Sequence, residues 1–314
     1  MKKKLIILIF AIAVSLFSLE IFLRQYYGFC DTVLIKEDSS FEYIAQPNQD
    51  RFRFRNHVKY NSYSMRSEAV DTTSAVILGF GDSFINGGVQ TDQDSLATTI
   101  LSDTLSKLQG KKIQFLNISA GSWGPDNCYA YLKKYGDFDA KSIFLFVSSH
   151  DAYDNMNFEK IIDISESFPS KQYSLALYEL VDRYLIPRLR SMLKKTVSNS
   201  DNLGINKEKD NSIFNIGFKS FLAYSKNKNM PFTIYLHASR NEMKLNSYNQ
   251  QGQEIIRFAK ENKIPIILDL ENGLNLSDFR DDIHINCKGQ KKLANAIIEY
   301  MDTLTPAANK GYIQ

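Results

Sequence analysis

From residue 74 onward the chain repeats one unit: a short apolar run, then a longer stretch that reads as helix. The runs are AVILGF (75–80), IQFLNI (113–118), SIFLFVS (142–148), PFTIYL (231–236) and IPIILDL (264–270). Residues 94–108, 126–135, 246–260 and 288–302 read as the helices between and after them. A strand that is apolar on both faces must be covered on both, and a parallel sheet sandwiched by its own crossover helices does this. The five runs therefore predict an α/β fold with three layers, α/β/α, around a five-stranded parallel sheet. Residues 155–230 interrupt the rhythm. Within them Gln172–Lys195 is amphipathic and basic, Val197–Asp210 is a polar loop and Ile213–Lys226 is helical again. The stretch reads either as an insertion or lid between the third and fourth strands, or as a crossover helix with a long surface loop.

The N-terminus is a different kind of segment. Met1-Lys2-Lys3-Lys4 precedes an apolar run that extends from Leu5 to Leu23, with Glu20 as its one charge. As a helix it is about 28 Å long, close to the ~30 Å of a hydrocarbon core. No small-x-small cleavage site follows it, so it reads as a signal anchor that stays in place. Lysines ahead of the span put the N-terminus inside and the remainder outside the cytoplasmic membrane. The expected organisation is a transmembrane helix at 1–30, a juxtamembrane segment at 31–73, the α/β domain at 74–305 and a tail at 306–314.

Composition narrows the function classes. With 38 Lys+Arg against 35 Asp+Glu the net charge is +3, which leaves no basic footprint for nucleic acid. Cys30, Cys128 and Cys287 lie far apart, with no spacing suited to zinc. Cys128 and Cys287 are read either as a disulfide in an oxidising compartment or as two free buried thiols.

In an open parallel sheet, ligands bind beyond the carboxyl ends of the strands, so chemistry is sought there. Gly79-Phe80-Gly81-Asp82-Ser83-Phe84 follows the first run. It lacks the third glycine of a dinucleotide loop and the GK[ST] of a P-loop, and Ile85 rules out a GxSxG elbow. What is left is a serine on a glycine turn between strand and helix. Asn117 to Gly121 follows the second run, and Gly121 offers a close backbone N–H. Ser148-Ser149-His150-Asp151 follows the third. Asp281-x-x-His284 precedes the last helix, a spacing that lets the carboxylate hold one imidazole nitrogen while the other faces a serine. Each string alone is ordinary: a turn, a cap, a structural histidine. His57 and His237 have no evident partner; His237, after the fourth strand, reads either as lining the cleft or, the favoured reading, as structural.

Together, in this order on these strands, the blocks resemble the SGNH, or GDSL-type, hydrolases. The matching residues are Gly81-Asp82-Ser83-Phe84 with Gly88-Val89, Asn117 through Gly121, and Asp281-x-x-His284-x-Asn286 with Gly289. Pro47 through Asn61, with Met65-Arg66, resembles the leader of membrane-anchored bacterial members. The resemblance covers about residues 74–302. It implies a flavodoxin-like sheet and a serine esterase that needs no cofactor and no metal. In it Ser83 is the nucleophile, His284 the base and Asp281 its orienter, with Ser83, Gly121 and His150 as oxyanion donors. His150 stands where the family has asparagine, and an imidazole N–H can replace the amide donor. The implied substrate is an O-acylated glycan or another ester of the cell envelope, reached from a single-pass protein of the bacterial cytoplasmic membrane whose domain faces the periplasm or exterior. Three alternatives stay open: acyl transfer to a sugar hydroxyl, an inactive glycan-binding or assembly protein, and a metal hydrolase using His150, Asp151, Asp281 and His284.

Overall fold

The structure, a computed structural model, describes residues 2–195 and 213–304. The predicted loop at 197–210 and the tail at 306–314 lie outside the described residues. The chain opens with α1 (Lys2–Tyr27) and two antiparallel hairpins, β1 (Ile35–Asp38) with β2 (Glu42–Ala45) and β3 (Gln49–Arg53) with β4 (Asn56–Tyr60). Then come β5 (Ala75–Gly81), α2 (Ser83–Asn86), α3 (Ala97–Gln109), β6 (Ile113–Ser119), α4 (Pro125–Tyr135) and β7 (Ser142–Ser148). Next are α5 (Ala176–Glu179), a π-helical turn (Leu180–Leu185), α6 (Ile186–Lys195) and α7 (Ile216–Lys228). The chain closes with β8 (Phe232–His237), α8 (Arg240–Leu245), α9 (Gln250–Glu261), β9 (Ile266–Leu268) and α10 (Cys287–Leu304).

The predicted five-stranded parallel sheet is present, in the order β6-β5-β7-β8-β9, and every pairing within it is parallel. Counting only these strands, that is 2-1-3-4-5, the flavodoxin-like order, whose switch point lies between its first and third strands. Side chains alternate across the sheet, because successive residues of a strand point to opposite faces. Val76, Leu78 and Phe80 enter one core with Cys128 and Tyr131 of α4, Phe218 and Phe221 of α7, and Ile255 of α9. Ile77 of the same strand enters the other, with Leu101 of α3 and Leu293 and Ile297 of α10.

Three expectations need correction. The fifth run predicts strand over 264–270, but β9 spans only Ile266–Leu268. The chain turns at Asp269, whose buried side chain is bonded into the sheet edge rather than continuing it. The helix expected at 246–260 begins later, as α9 at Gln250: Asn246 ends the separate helix α8 in the left-handed conformation, and Asn249 caps α9. Cys128 and Cys287 are both free, and only Cys128 is buried. Two helices of the 155–230 region have different places. α7 covers the sheet as a crossover helix, while α5 packs against the end of α1.

Residues 31–73 contain four strands that no apolar run announces. Their sequences, such as IKED, QDRFR and NHVKY, lack the signal of a core strand. Instead they are held by buried polar groups. Arg66 is fully buried and donates to the carbonyls of Asn86, Gly88 and Thr91, fastening the chain that follows α2. Phe41, Tyr43, Ile44 and Met65 share the core beneath the sheet.

Candidate active site

Ser83 begins α2 directly after β5. Asp82 caps the helix by accepting the Phe84 N–H at 3.0 Å, and Gly87, at φ 73°, ends it in the left-handed region. Gly81 is required by packing: a Cβ there would lie 2.9 Å from the Phe146 carbonyl oxygen of β7. The serine N–H is the first of the helix, so the helix itself makes no use of it. Asn117 holds α2 from below, donating to the Ile85 carbonyl at 2.9 Å and to Thr98 at 3.1 Å. Asn86 donates to Ser119 on β6.

The second half of the site is the loop ahead of α10. Asp281 Oδ1 accepts the N–H groups of Ile283 (3.0 Å) and His284 (2.7 Å), which folds the loop into a tight turn. The turn brings His284 Nδ1 to 2.9 Å from Asp281 Oδ2 and leaves Nε2 pointing away, 2.9 Å from Ser83 Oγ. Ser83, His284 and Asp281 thus form a continuous hydrogen-bonded triad, with Nδ1–H assigned by its carboxylate partner. Burial would raise the Asp281 pKa, but the two N–H groups and the imidazole outweigh it and keep the carboxyl below its ordinary range. For His284, burial is the largest influence and prevails over Asp281, leaving the imidazole below its ordinary value. A neutral Nε2 lone pair facing a serine hydroxyl can accept its proton.

The other candidate residues flank Ser83 on the same edge. Gly121 follows β6, on one side of β5, with its carbonyl fixed by the Tyr43 hydroxyl at 2.8 Å. Phe168, from the segment between β7 and α5, packs on Tyr43 and comes within van der Waals reach of the space a Gly121 side chain would fill. His150 follows β7, on the other side, and its side chain is 47% exposed. Its Nε2 lies 3.8 Å from Asp82 and 3.6 Å from Asp151. Burial, then the Asp151 carboxylate, pushes the Asp82 pKa up to about 7. Atoms of Asp82, His150 and Asp151 come within 4.8 Å of one another. Asp151 serves the local turn, accepting the Ser148 N–H at 2.6 Å. The residues named for a metal hydrolase therefore divide: His284 and Asp281 are bonded to each other, with His284 on Ser83, while His150 and Asp151 lie beside Asp82.

One residue has a larger place than its sequence suggested. His237, at the end of β8, is fully buried. Its Nδ1 is bonded to Asp269, and its Nε2 lies 2.6 Å from the Ile283 carbonyl. Its ring stacks on Phe84 at 4.3 Å between centroids. It thereby touches the neighbours of both Ser83 and His284. Burial opposes its positive charge, but Asp269 prevails and raises its pKa. Asp269 accepts as well from Tyr235 and from the Ala238 N–H. The sequence signal was faint: a histidine and an aspartate ending two apolar runs that become neighbouring strands.

No family model matches the chain, and no curated protein does. Among solved structures it is similar to a two-domain esterase (CEX) active on acetylated mannans, at 12% identity and a TM-score of 0.44 over 75% of this chain. The chain spans about half the length of that protein, 51% of it. It is similar to TesA, at 12% identity and a TM-score of 0.44, over 73% of this chain and 99% of that one. It is similar also to a variant of Axe2, an acetyl xylan esterase from Geobacillus stearothermophilus, at 11% identity and a TM-score of 0.41, over 73% and 96% of the two chains.

Proposed function

We propose that this chain is a serine esterase of the SGNH type that works through an acyl-enzyme. The observation that carries the reading is the triad itself: Ser83 Oγ, His284 and Asp281 joined by 2.9 Å contacts at the carboxyl edge of the sheet. In this reading Ser83 Oγ bonds to the ester carbonyl carbon and its proton passes to His284 Nε2. The oxyanion is held by the N–H groups of Ser83 and Gly121 and by the His150 ring, at the ends of three adjacent strands. His284 returns the proton to the leaving alcohol oxygen as the ester C–O bond breaks. Water then repeats the sequence on the acyl-Ser83 ester and releases the acid.

The substrate we propose is an O-acetylated glycan of the cell envelope or of a secreted polysaccharide. The support is α1, whose described residues form a helix long and apolar enough to cross a membrane, with its apolar side chains exposed. With the lysine-rich end inside, the site faces out of the cytoplasm.

The test is acetate release from a small acetyl ester by the detergent-solubilised full chain, beside Ser83→Ala. The expected loss in the variant is about 10⁴-fold or more in kcat. Equal rates in the two proteins would remove Ser83 from the chemistry. A sugar acceptor that draws the acetyl group away from water would move the assignment to a transferase.

A further inference from the structure

The helical stretch from α5 through the π turn to α6 is fixed to the end of α1. Glu20 accepts the N–H groups of Ala176 and Leu177, both at 2.8 Å, and Arg24 donates to the Ser174 carbonyl and to Glu20, both at 2.6 Å. A carboxylate at a helix N-terminus satisfies donors the helix leaves open. Glu20 and Arg24 stand where the apolar run of α1 ends, so α5 begins level with the point at which α1 would leave a bilayer. On its other side, Glu179 is buried against Arg53 and accepts the Cys30 N–H. Contacts on two sides hold the stretch against both α1 and the β3–β4 hairpin.

The outward side is apolar. Leu175, Tyr178, Val181, Leu185 and Leu189 are between 44% and 58% exposed, at intervals of three or four residues, the spacing of one helix face. Arg188 and Arg190 flank Leu189 and are exposed. An exposed apolar stripe on a monomer marks an interaction surface. A stripe bordered by arginines is the pattern of a helix lying in the headgroup region of an anionic membrane. This stripe continues outward from a membrane-spanning helix, which makes the bilayer the nearest apolar medium.

We propose that residues 175–190 lie along the surface of the membrane on the domain's side, with the stripe at the headgroup–acyl boundary and Arg188 and Arg190 on anionic headgroups. The proposal rests on α1 being a membrane span. It gives α5 and α6 a role apart from the reaction: they set the domain's orientation to the membrane, where α1 alone would let it swing.

The test places one nitroxide at a time on the full chain in vesicles of phosphatidylethanolamine and phosphatidylglycerol. The native cysteines are replaced by Cys30→Ser, Cys128→Ala and Cys287→Ser, and labels are attached at Ile12→Cys, Leu185→Cys, Leu189→Cys and, for a water-facing reference, Asn227→Cys. Circular dichroism of each labelled protein checks its fold. The expected result is several-fold more collision with oxygen, relative to a water-soluble nickel chelate, at 12, 185 and 189 than at 227. Labels at 185 and 189 open to the chelate, with 12 in lipid, would overturn the proposal and leave the span intact. Labels shielded from both reagents would report a protein partner and overturn it too. A label at 12 open to the chelate would remove the span, and the proposal with it.

Discussion

His284 is subject to opposing influences, and their balance sets when it can act. Burial is the largest influence and disfavours its protonated form, as do the nearby charges of Arg280 and His237, while Asp281 favours it. The resulting pKa lies below the ordinary value of 6.5. A base must be unprotonated to take the serine proton, so activity is lost as pH falls through that pKa. The acid limb of kcat/KM for a small acetyl ester is therefore expected below pH 6.5, the free-imidazole value. A limb above it would mean that Asp281 prevails over burial. At this scale the sequence was informative. Asp-x-x-His closes into a turn through local hydrogen bonds, so the spacing of Asp281 and His284 already predicts their contact. The opposite holds for His237, whose partners Asp269 and Ile283 lie 32 and 46 residues away in sequence.

Among the elements, the edge formed by β8, β9 and the loop before α10 depends on His237. Its imidazole donates to the Ile283 carbonyl, one residue before His284, and pairs with the Asp269 carboxylate. Removing one partner of a buried charge pair leaves the other charge unpaired, which typically costs about 3–5 kcal/mol. His237→Ala is expected to lower unfolding stability by about that amount, read from denaturant unfolding in detergent, and to lower kcat more than it raises KM. Stability within about 0.5 kcal/mol of the parent would show that Asp269 and the Ile283 carbonyl are satisfied without the imidazole. The same edge explains the shortened fifth strand. Asp269 leaves the ladder because its carboxylate is drawn to His237 and Tyr235, a tertiary demand that an apolar run cannot signal.

At the scale of the whole molecule, residues 31–73 are part of the folded domain. Phe41, Tyr43, Ile44 and Met65 fill the core below the sheet, and buried Arg66 bonds to three carbonyls, of Asn86 at the end of α2 and of Gly88 and Thr91 after it. A fragment starting at Ser74 would expose that core and lose those bonds. It is expected to lose cooperative thermal unfolding, followed by circular dichroism, while a fragment starting at Asp31 keeps it. Cooperative melting of the shorter fragment would show that the hairpins are an appendage.

The amino-acid sequence by itself determined the α/β class, the five sheet strands, the apolar N-terminal helix and the candidate partners Ser83, Asp281 and His284, because periodicity and short turns are local properties. Tertiary structure decided the rest. It brought Ser83 within 2.9 Å of His284 across 201 residues, set His237 between the two loops, separated Cys128 from the exposed Cys287, and joined α5 to the end of α1. Those contacts depend on strand order and on buried polar partners far apart along the chain, and the free energy of pairing them exists only once the sheet has assembled.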